Sequence, residues 1–164
     1  MNVIYEDVET PIGRFRIAER DGNVCAAAFG DRWQVVADRV EAGSGAIRWV
    51  EGTTRAAEAV RRYFEGEIEA IDGVEVAAAG TVFQAAVWSQ LRRIRAGSTM
   101  SYSALADAIG VPGAARAAGT ANGANPVCLI VPCHRVIRAD GTAGGYGGGA
   151  DRKEWLLEHE SHNR

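Results

Sequence analysis

Residues 3–29, VIYEDVETPIGRFRIAERDGNVCAAAF, alternate apolar and polar positions and are interrupted by TPIG and RDGN. A period of two broken by such turn signals predicts an antiparallel strand meander. The period lengthens over 54–65, TRAAEAVRRYFE, where Ala56, Val60, Tyr63 and Phe64 share one helical face. These elements predict a small structural α+β lobe over residues 1–78. VEVAAAG then leads to Thr81, where Thr81-x-x-Gln84 has the pattern of a capping box and Phe83, Val87, Leu91 and Ile94 continue at helical spacing. A second lobe, residues 79–164, starts with this helix.

Within it, residues 101–126 read SYSALADAIGVPGAARAAGTANGANP. Ser103 is expected to cap a short helix ending at Ile109, GVPG to break it, and a second helix to run from about Ala114 to Ala121 before NGANP. Two short helices joined by a tight Gly/Pro turn have the outline of a helix-turn-helix, although helix hairpins inside cores look the same. The second helix is nearly all Ala and Gly with one charge, Arg116. Such a surface suits close approach to a narrow groove better than readout across a wide one. At the end of the chain, DRKEWLLEHE predicts a helix with an Asp151-x-x-Glu154 capping box and a Trp155/Leu156/His159 face. The expected fold class is α+β: a small antiparallel-sheet lobe, then a mostly helical lobe with a helix-turn-helix.

Composition changes this picture little: 47% hydrophobic and 24% charged residues over 164 positions describe an ordinary globular chain with no bilayer-crossing run. The acidic opening MNVIYEDVET does not read as a signal peptide, so the expected location is the cytoplasm. Three cysteines at irregular spacing, Cys25, Cys128 and Cys133, argue for thiols in a reducing compartment rather than a disulfide framework. The net charge of −3 is uneven, with residues 1–79 carrying nine Arg against fifteen acids and residues 80–164 nine basic residues against six acids. If either half meets a polyanion it is the second, but the excess alone does not establish nucleic-acid binding.

The candidate chemistry lies in VPCHRVI, Val131–Ile137, where Cys133 and His134 sit together in a stiff apolar strand. Neighbours in sequence project in different directions, so a base acting on the adjacent thiol calls for a bridging water, and a third group should orient the imidazole. Glu160 is the candidate: an acid in the last turn of a helix opposes the helix dipole, and local rules broken without evident gain mark functional positions. Three other readings stay open on residue chemistry alone. Cys128, Cys133 and His134 with His159 or His162 could ligate zinc, a Cys-His-Glu hydrolase could use the same groups, and Cys133 could be an inert buried thiol.

Taken together, GTVFQAAVW, GSTMSYSALADAIGVPGAARAAG, NP, VPCHRVI, DG, GGYGGG and KEWLLEHE closely resemble the O6-alkylguanine-DNA alkyltransferase family over nearly all of residues 80–164. TPIG and the alternating strands match more loosely. The resemblance implies direct-reversal DNA repair by a methylated-DNA–protein-cysteine methyltransferase without a cofactor. The alkyl group of O6-alkylguanine, with O4-alkylthymine as a second candidate, passes irreversibly to Cys133 in one turnover. It further implies a monomer that binds double-stranded DNA through the minor groove, touches no membrane, and flips the damaged base into a pocket. By the same resemblance His134 and Glu160 activate the thiol, and Asn125 is a hinge between the recognition helix and the strand carrying the thiol. Tyr102 crowds the phosphate and then meets the base, and Arg116 fills the gap in the stack. Tyr146 and Gly147 offer backbone donors, and Arg135 and Val136 complete the substrate-facing set, Arg135 being structural or phosphate-facing rather than chemical.

Three positions depart from the family pattern. Gly147 stands where many relatives have Ser, which removes a hydroxyl donor and predicts a slower or broader reaction. Cys128 replaces a proline, and Arg95 stands where the family often has Pro. Relatives that lack the cysteine bind lesions without repairing them; Cys133 is present.

Overall fold

The computed structural model describes residues 1–164, which form two compact units, Met1–Ala79 with Pro126–Ile130 and Gly80–Asn125 with Val131–Arg164. In the first unit, β1 (Asn2–Thr10), β2 (Gly13–Arg20) and β3 (Asn23–Phe29) form an antiparallel meander. β4 (Arg48–Glu51) adds to β1 in parallel, giving the order β3-β2-β1-β4. Asp21 and Gly22, with φ of 54° and 81°, make the tight β2–β3 turn. Two left-handed residues are what a type I′ hairpin requires, which is why RDGN could be read as a turn.

Both sheet faces are covered. α1 (Trp33–Ser44) sets Val36 and Val40 against Val3, Ala18, Ala26 and Ala28. On the opposite face Phe15 and Phe29 pack edge to face at 5.0 Å. The register puts Glu6 and Glu19 on the Phe15 and Ile17 side, where they cap α2 (Ala56–Phe64). Glu19 accepts from the backbone N–H of Arg55 at 3.0 Å and of Ala56 at 2.8 Å, and Glu6 from that of Thr54 at 2.7 Å. Carboxylates at a helix N-terminus satisfy orphan donors and oppose the positive end of the dipole. Ala56, Val60 and Tyr63 are buried as expected, while Phe64 is half-buried.

The outer edge of β3 is closed by two short returns, at Val24↔Val76 and Ala27↔Val127. The second explains a departure from the expected division at 78/79: Ala27 donates to the Pro126 carbonyl and Cys128 to that of Ala27, both at 2.9 Å, so Pro126–Ile130 belongs to the first unit. α1 was not foreseen, because Arg32 at its N-cap makes no side-chain bond and a 3₁₀ turn, Gly30–Arg32, leads into it. The usual start signal is missing.

The second unit holds α3 (Val82–Leu91), β5 (Met100–Ser101), α4 (Tyr102–Ala108), α5 (Ala115–Gly123), β6 (Val136–Ile137) and α6 (Ala150–Asn163). The Thr81/Gln84 capping box forms, with bonds of 3.1 and 2.9 Å. Two caps differ from expectation. α4 is capped by Ser101, whose Oγ accepts from Ala104 N at 3.0 Å, and Ser103 lies exposed inside the helix. Ser101 has the extended backbone an N-cap needs, with φ −77° and ψ 159°. α6 starts after Gly149 at φ 98° with no side-chain cap, so the Asp151/Glu154 box does not form, and its buried face is Lys153, Leu156 and Glu160. Trp155 and His159 instead stack on each other, half-buried, at 4.7 Å. No helix is long and apolar enough to cross a membrane.

Candidate active site

The thiol is carried by a backbone with little freedom. Leu129 has φ 71° at the centre of a γ-turn closed by Ile130 N and Cys128 O at 2.8 Å. A second tight turn follows: Pro132, at φ −82° and ψ 67°, lies where an inverse γ-turn needs its central residue, and Cys133 N donates to Val131 O at 2.8 Å. Proline's ring sets that φ in advance. A 3₁₀ turn then runs Cys133–Arg135. Two asparagines at the end of α5 hold the second of these turns. Asn125 Nδ2 donates to Val131 O at 2.8 Å and Asn122 Nδ2 to Cys133 O at 3.3 Å. Trp88 on α3 fixes α5 in turn, through Nε1 to Ala121 O at 2.9 Å.

Cys133 is 8% exposed and its neighbours close the site: His134 is 0% exposed, Arg135 2% and Glu160 1%. The Glu160 carboxylate accepts three bonds, from His134 Nε2 at 2.7 Å, Arg135 Nε at 2.9 Å and Arg135 Nη2 at 2.9 Å. Arg135 Nη1 also donates to Ile94 O at 2.8 Å. Burial pushes the Glu160 carboxyl upward, but the adjacent His134 and Arg135 donors outweigh it and hold the group far below the usual carboxylate range. Burial lowers His134 below its ordinary value, with Glu160 opposing. The guanidinium already balances the carboxylate, so the resting imidazole is neutral. Its Nε2–H then points at Glu160, and Nδ1, which has no hydrogen-bond partner in the protein, keeps its lone pair.

Tyr102 opens α4, with its ring between two glycines. A Cβ at Gly119 on α5 would lie 3.3 Å from Tyr102 Cδ1, and one at Gly144, which has φ 76°, would lie 3.1 Å from the phenol oxygen. Burial raises the Tyr102 pKa first, and negative charge at Cys133 adds to it, so the phenol remains a proton donor at neutral pH. The glycine loop is tied down by Lys153, whose Nζ donates to Val136 O at 2.6 Å and Gly145 O at 3.2 Å. Burial lowers the Lys153 pKa, against the pull of negative charge at Cys133.

Cys133, His134, Glu160 and Asn125 thus meet around one turn, and Tyr102 and Lys153 lie close enough to sense charge on the thiol. The structure bears on two of the expected residues. Of the structural and phosphate-facing roles expected of Arg135, the structure bears out the structural one, because its fork is spent on Glu160 and Ile94 inside the core. The Val136 side chain is wholly buried, and its carbonyl accepts from Lys153. Tyr146 is half-buried and Gly147 exposed in the loop before α6, and Arg116 is exposed in the first turn of α5 beside Ala117 and Thr120. No three His, Cys, Asp or Glu side chains are gathered to hold a metal ion, so the zinc arrangement does not form. Sequence reasoning missed Asn122, Lys153 and the glycine pair around Tyr102. The only prior signal for Asn122 was its place in NGANP.

Three comparisons bear on this geometry. The family model described as "6-O-methylguanine DNA methyltransferase, DNA binding domain" matches residues 82–162. The methylated-DNA–protein-cysteine methyltransferase of Salmonella typhimurium is 41% identical over 99% of this chain and 98% of its own length. That of Mycolicibacterium paratuberculosis is 42% identical over 95% and 91%. Among solved structures, the O6-methylguanine methyltransferase of Mycobacterium tuberculosis superposes with a TM-score of 0.82 at 37% identity, covering 99% of this chain and 94% of that one. A structure of Mycobacterium tuberculosis OGT in complex with DNA gives 0.81 at 37% identity over 98% and 94%.

Proposed function

The chain belongs to the methylated-DNA–protein-cysteine methyltransferase family, and from that premise we propose that it repairs DNA by direct reversal, moving the alkyl group of O6-alkylguanine onto its own Cys133. The observation that carries this reading is the buried turn in which Cys133 follows an inverse γ-turn and His134 is held by Glu160 and Arg135. A thiol so placed is a nucleophile with a base beside it.

The step is a displacement at carbon. His134 takes the thiol proton at Nδ1, the nitrogen not committed to Glu160, through a water, because adjacent side chains do not face one another. The thiolate attacks the alkyl carbon, the C–S bond forms as the C–O6 bond breaks, and the electron pair stays on guanine. The proton removed from sulfur returns to the base, so one alkyl group and one proton exchange places. Tyr102 donates to the flipped base, and backbone N–H groups near Tyr146 and Gly147 meet the developing charge on O6. The product is a thioether that no neighbouring group displaces, so each molecule acts once.

DNA lies against α5, entered from the minor groove. Its exposed face, Arg116, Ala117, Thr120 and Gly123, is small apart from the arginine, which supports close approach to the groove floor and insertion of Arg116 where the base has left. The protein acts as a monomer. Under single turnover on a duplex containing O6-methylguanine, wild-type protein restores guanine in amounts that saturate at one lesion per protein, and Cys133→Ser leaves the lesion in place. Continued repair beyond one equivalent, or repair by the variant, would overturn the reading.

A further inference from the structure

Two buried side-chain atoms have no hydrogen-bond partner in the protein, Asn122 Oδ1 and His134 Nδ1. Asn122 is 5% exposed and His134 0%. Both residues belong to the Cys133 turn: Asn122 reaches its carbonyl through Nδ2 at 3.3 Å, and His134 is the next residue along. Buried polar atoms are nearly always paired, by protein or by ordered water, and an orphan needs a physical reason. Here both are acceptors. Nδ1 carries a lone pair because Nε2 donates to Glu160, and Oδ1 is the carbonyl end of an amide whose nitrogen is already engaged. A single water has the two hydrogens that two such acceptors call for, and a lone pair left to accept a third.

We propose that Asn122 is a positioning residue for thiol activation: its Oδ1 and His134 Nδ1 accept the two hydrogens of a single water that relays the Cys133 proton. In the resting state the thiol S–H donates to the water oxygen, and the water donates to Nδ1 and Oδ1. On transfer the sulfur proton passes to water as one water proton passes to Nδ1, leaving thiolate, water and imidazolium, with no atom gained or lost. Imidazolium then donates to the water and the water to the thiolate, and the bond to Oδ1 strengthens, because a water that accepts from a cation is a better donor than one that accepts from a thiol. Asn122 therefore keeps the water in line without exchanging a proton. This role rests on the proposed alkyl transfer but concerns only thiolate formation, so it can be tested without DNA.

The probe is iodoacetamide. Its reaction at Cys133 is followed against pH by peptide mass mapping, which separates it from Cys25 and Cys128. The groups around the thiol are His134, Tyr102 on α4, Lys153 and Glu160 on α6, and the cations Arg135 and Arg138; the substitutions leave all of them in place. In Asn122→Ala, and in the near-isosteric Asn122→Leu, the pH midpoint of Cys133 alkylation rises by about half to one unit, the size of one lost hydrogen bond. The rate converges with wild type at high pH, where the thiol ionises unaided. A purely structural role for Asn122 would lower the rate without moving the midpoint, and that result in either folded variant overturns the proposal. A crystal structure of the wild-type protein gives an answer that needs no variant to fold. An ordered water within hydrogen-bond distance of both Asn122 Oδ1 and His134 Nδ1 supports the proposal, and separate partners for the two atoms overturn it. Wild-type protein with the expected midpoint but no activity on alkylated DNA would sink the repair reading and leave this one standing.

Discussion

Replacing Glu160 by Gln keeps the shape of the side chain and removes one charge from the core. The carboxylate takes three donors at 2.7 to 2.9 Å and is 1% exposed. A glutamine oxygen can serve two of them, and its NH₂ must then face the third, donor against donor. The Arg135 guanidinium, 2% exposed, loses its counter-charge with no route to water. Removing one partner from a buried ion pair costs about 3–5 kcal/mol, a large part of a domain's usual 5–15 kcal/mol or so. At an ordinary m-value this lowers the urea midpoint by about 2 M. Activity falls separately, because His134 keeps only a neutral acceptor and loses the charge that stabilises the imidazolium formed when it takes the thiol proton; positioned general bases contribute about 10²–10⁴-fold. Urea denaturation and single-turnover transfer, the latter where the variant is still folded, measure the two effects. The double substitution Glu160→Gln/Arg135→Met removes both charges and should recover part of the stability but none of the rate. A single variant within about 0.5 kcal/mol of wild type, or a double variant less stable than the single, would refute this account of the cluster.

Three further outcomes follow from the same geometry. Gly144→Ala forces a Cβ at φ 76° to within 3.1 Å of the Tyr102 oxygen, so transfer should slow by at least about tenfold with a stability loss of roughly 1 kcal/mol or more; unchanged single-turnover kinetics would mean that Tyr102 is not held there. His134 sits below its ordinary 6.5 in the folded state, so folding stability should be fully present above that pH and decline as pH falls through it. Glu160, held below its ordinary 4.5, adds a second loss beneath that value, and flat stability by urea denaturation from about pH 8 to 5 would contradict the first of these slopes. Gly147→Ser restores a hydroxyl beside the proposed oxyanion donors and should speed methyl transfer while narrowing the range of larger alkyl groups, as read from rates on O6-methylguanine and O6-benzylguanine duplexes.

The parts of the fold that were legible in the sequence are those whose signals are local. The RDGN turn, the α3 capping box and the α4–α5 pair depend on a few adjacent residues, and those residues form them. Glu160 was legible because an acid in a last helical turn offends the dipole, and its three donors explain why it is tolerated. What was hidden depends on partners distant in the chain. Lysine is almost never fully buried, so nothing in KEWLLEHE marks Lys153 as facing inward; its place follows from two carbonyls, of Val136 and Gly145, that need a donor. Arg135 reads as either structural or phosphate-facing, and only the return of α6 decides between them by making it the counter-ion of Glu160. Pro126–Ile130 looks like continuous second-lobe sequence until Val127 pairs with Ala27.

Whether Cys133 takes the alkyl group is decided most directly by intact mass after incubation with duplex DNA carrying one O6-methylguanine, with Cys133→Ala as control. The account predicts one methyl group per protein, mapped to Cys133, in equal amount to the guanine restored and absent from the control. A mass that does not change while the lesion is repaired, or methylation mapped to Cys25 or Cys128, would contradict it.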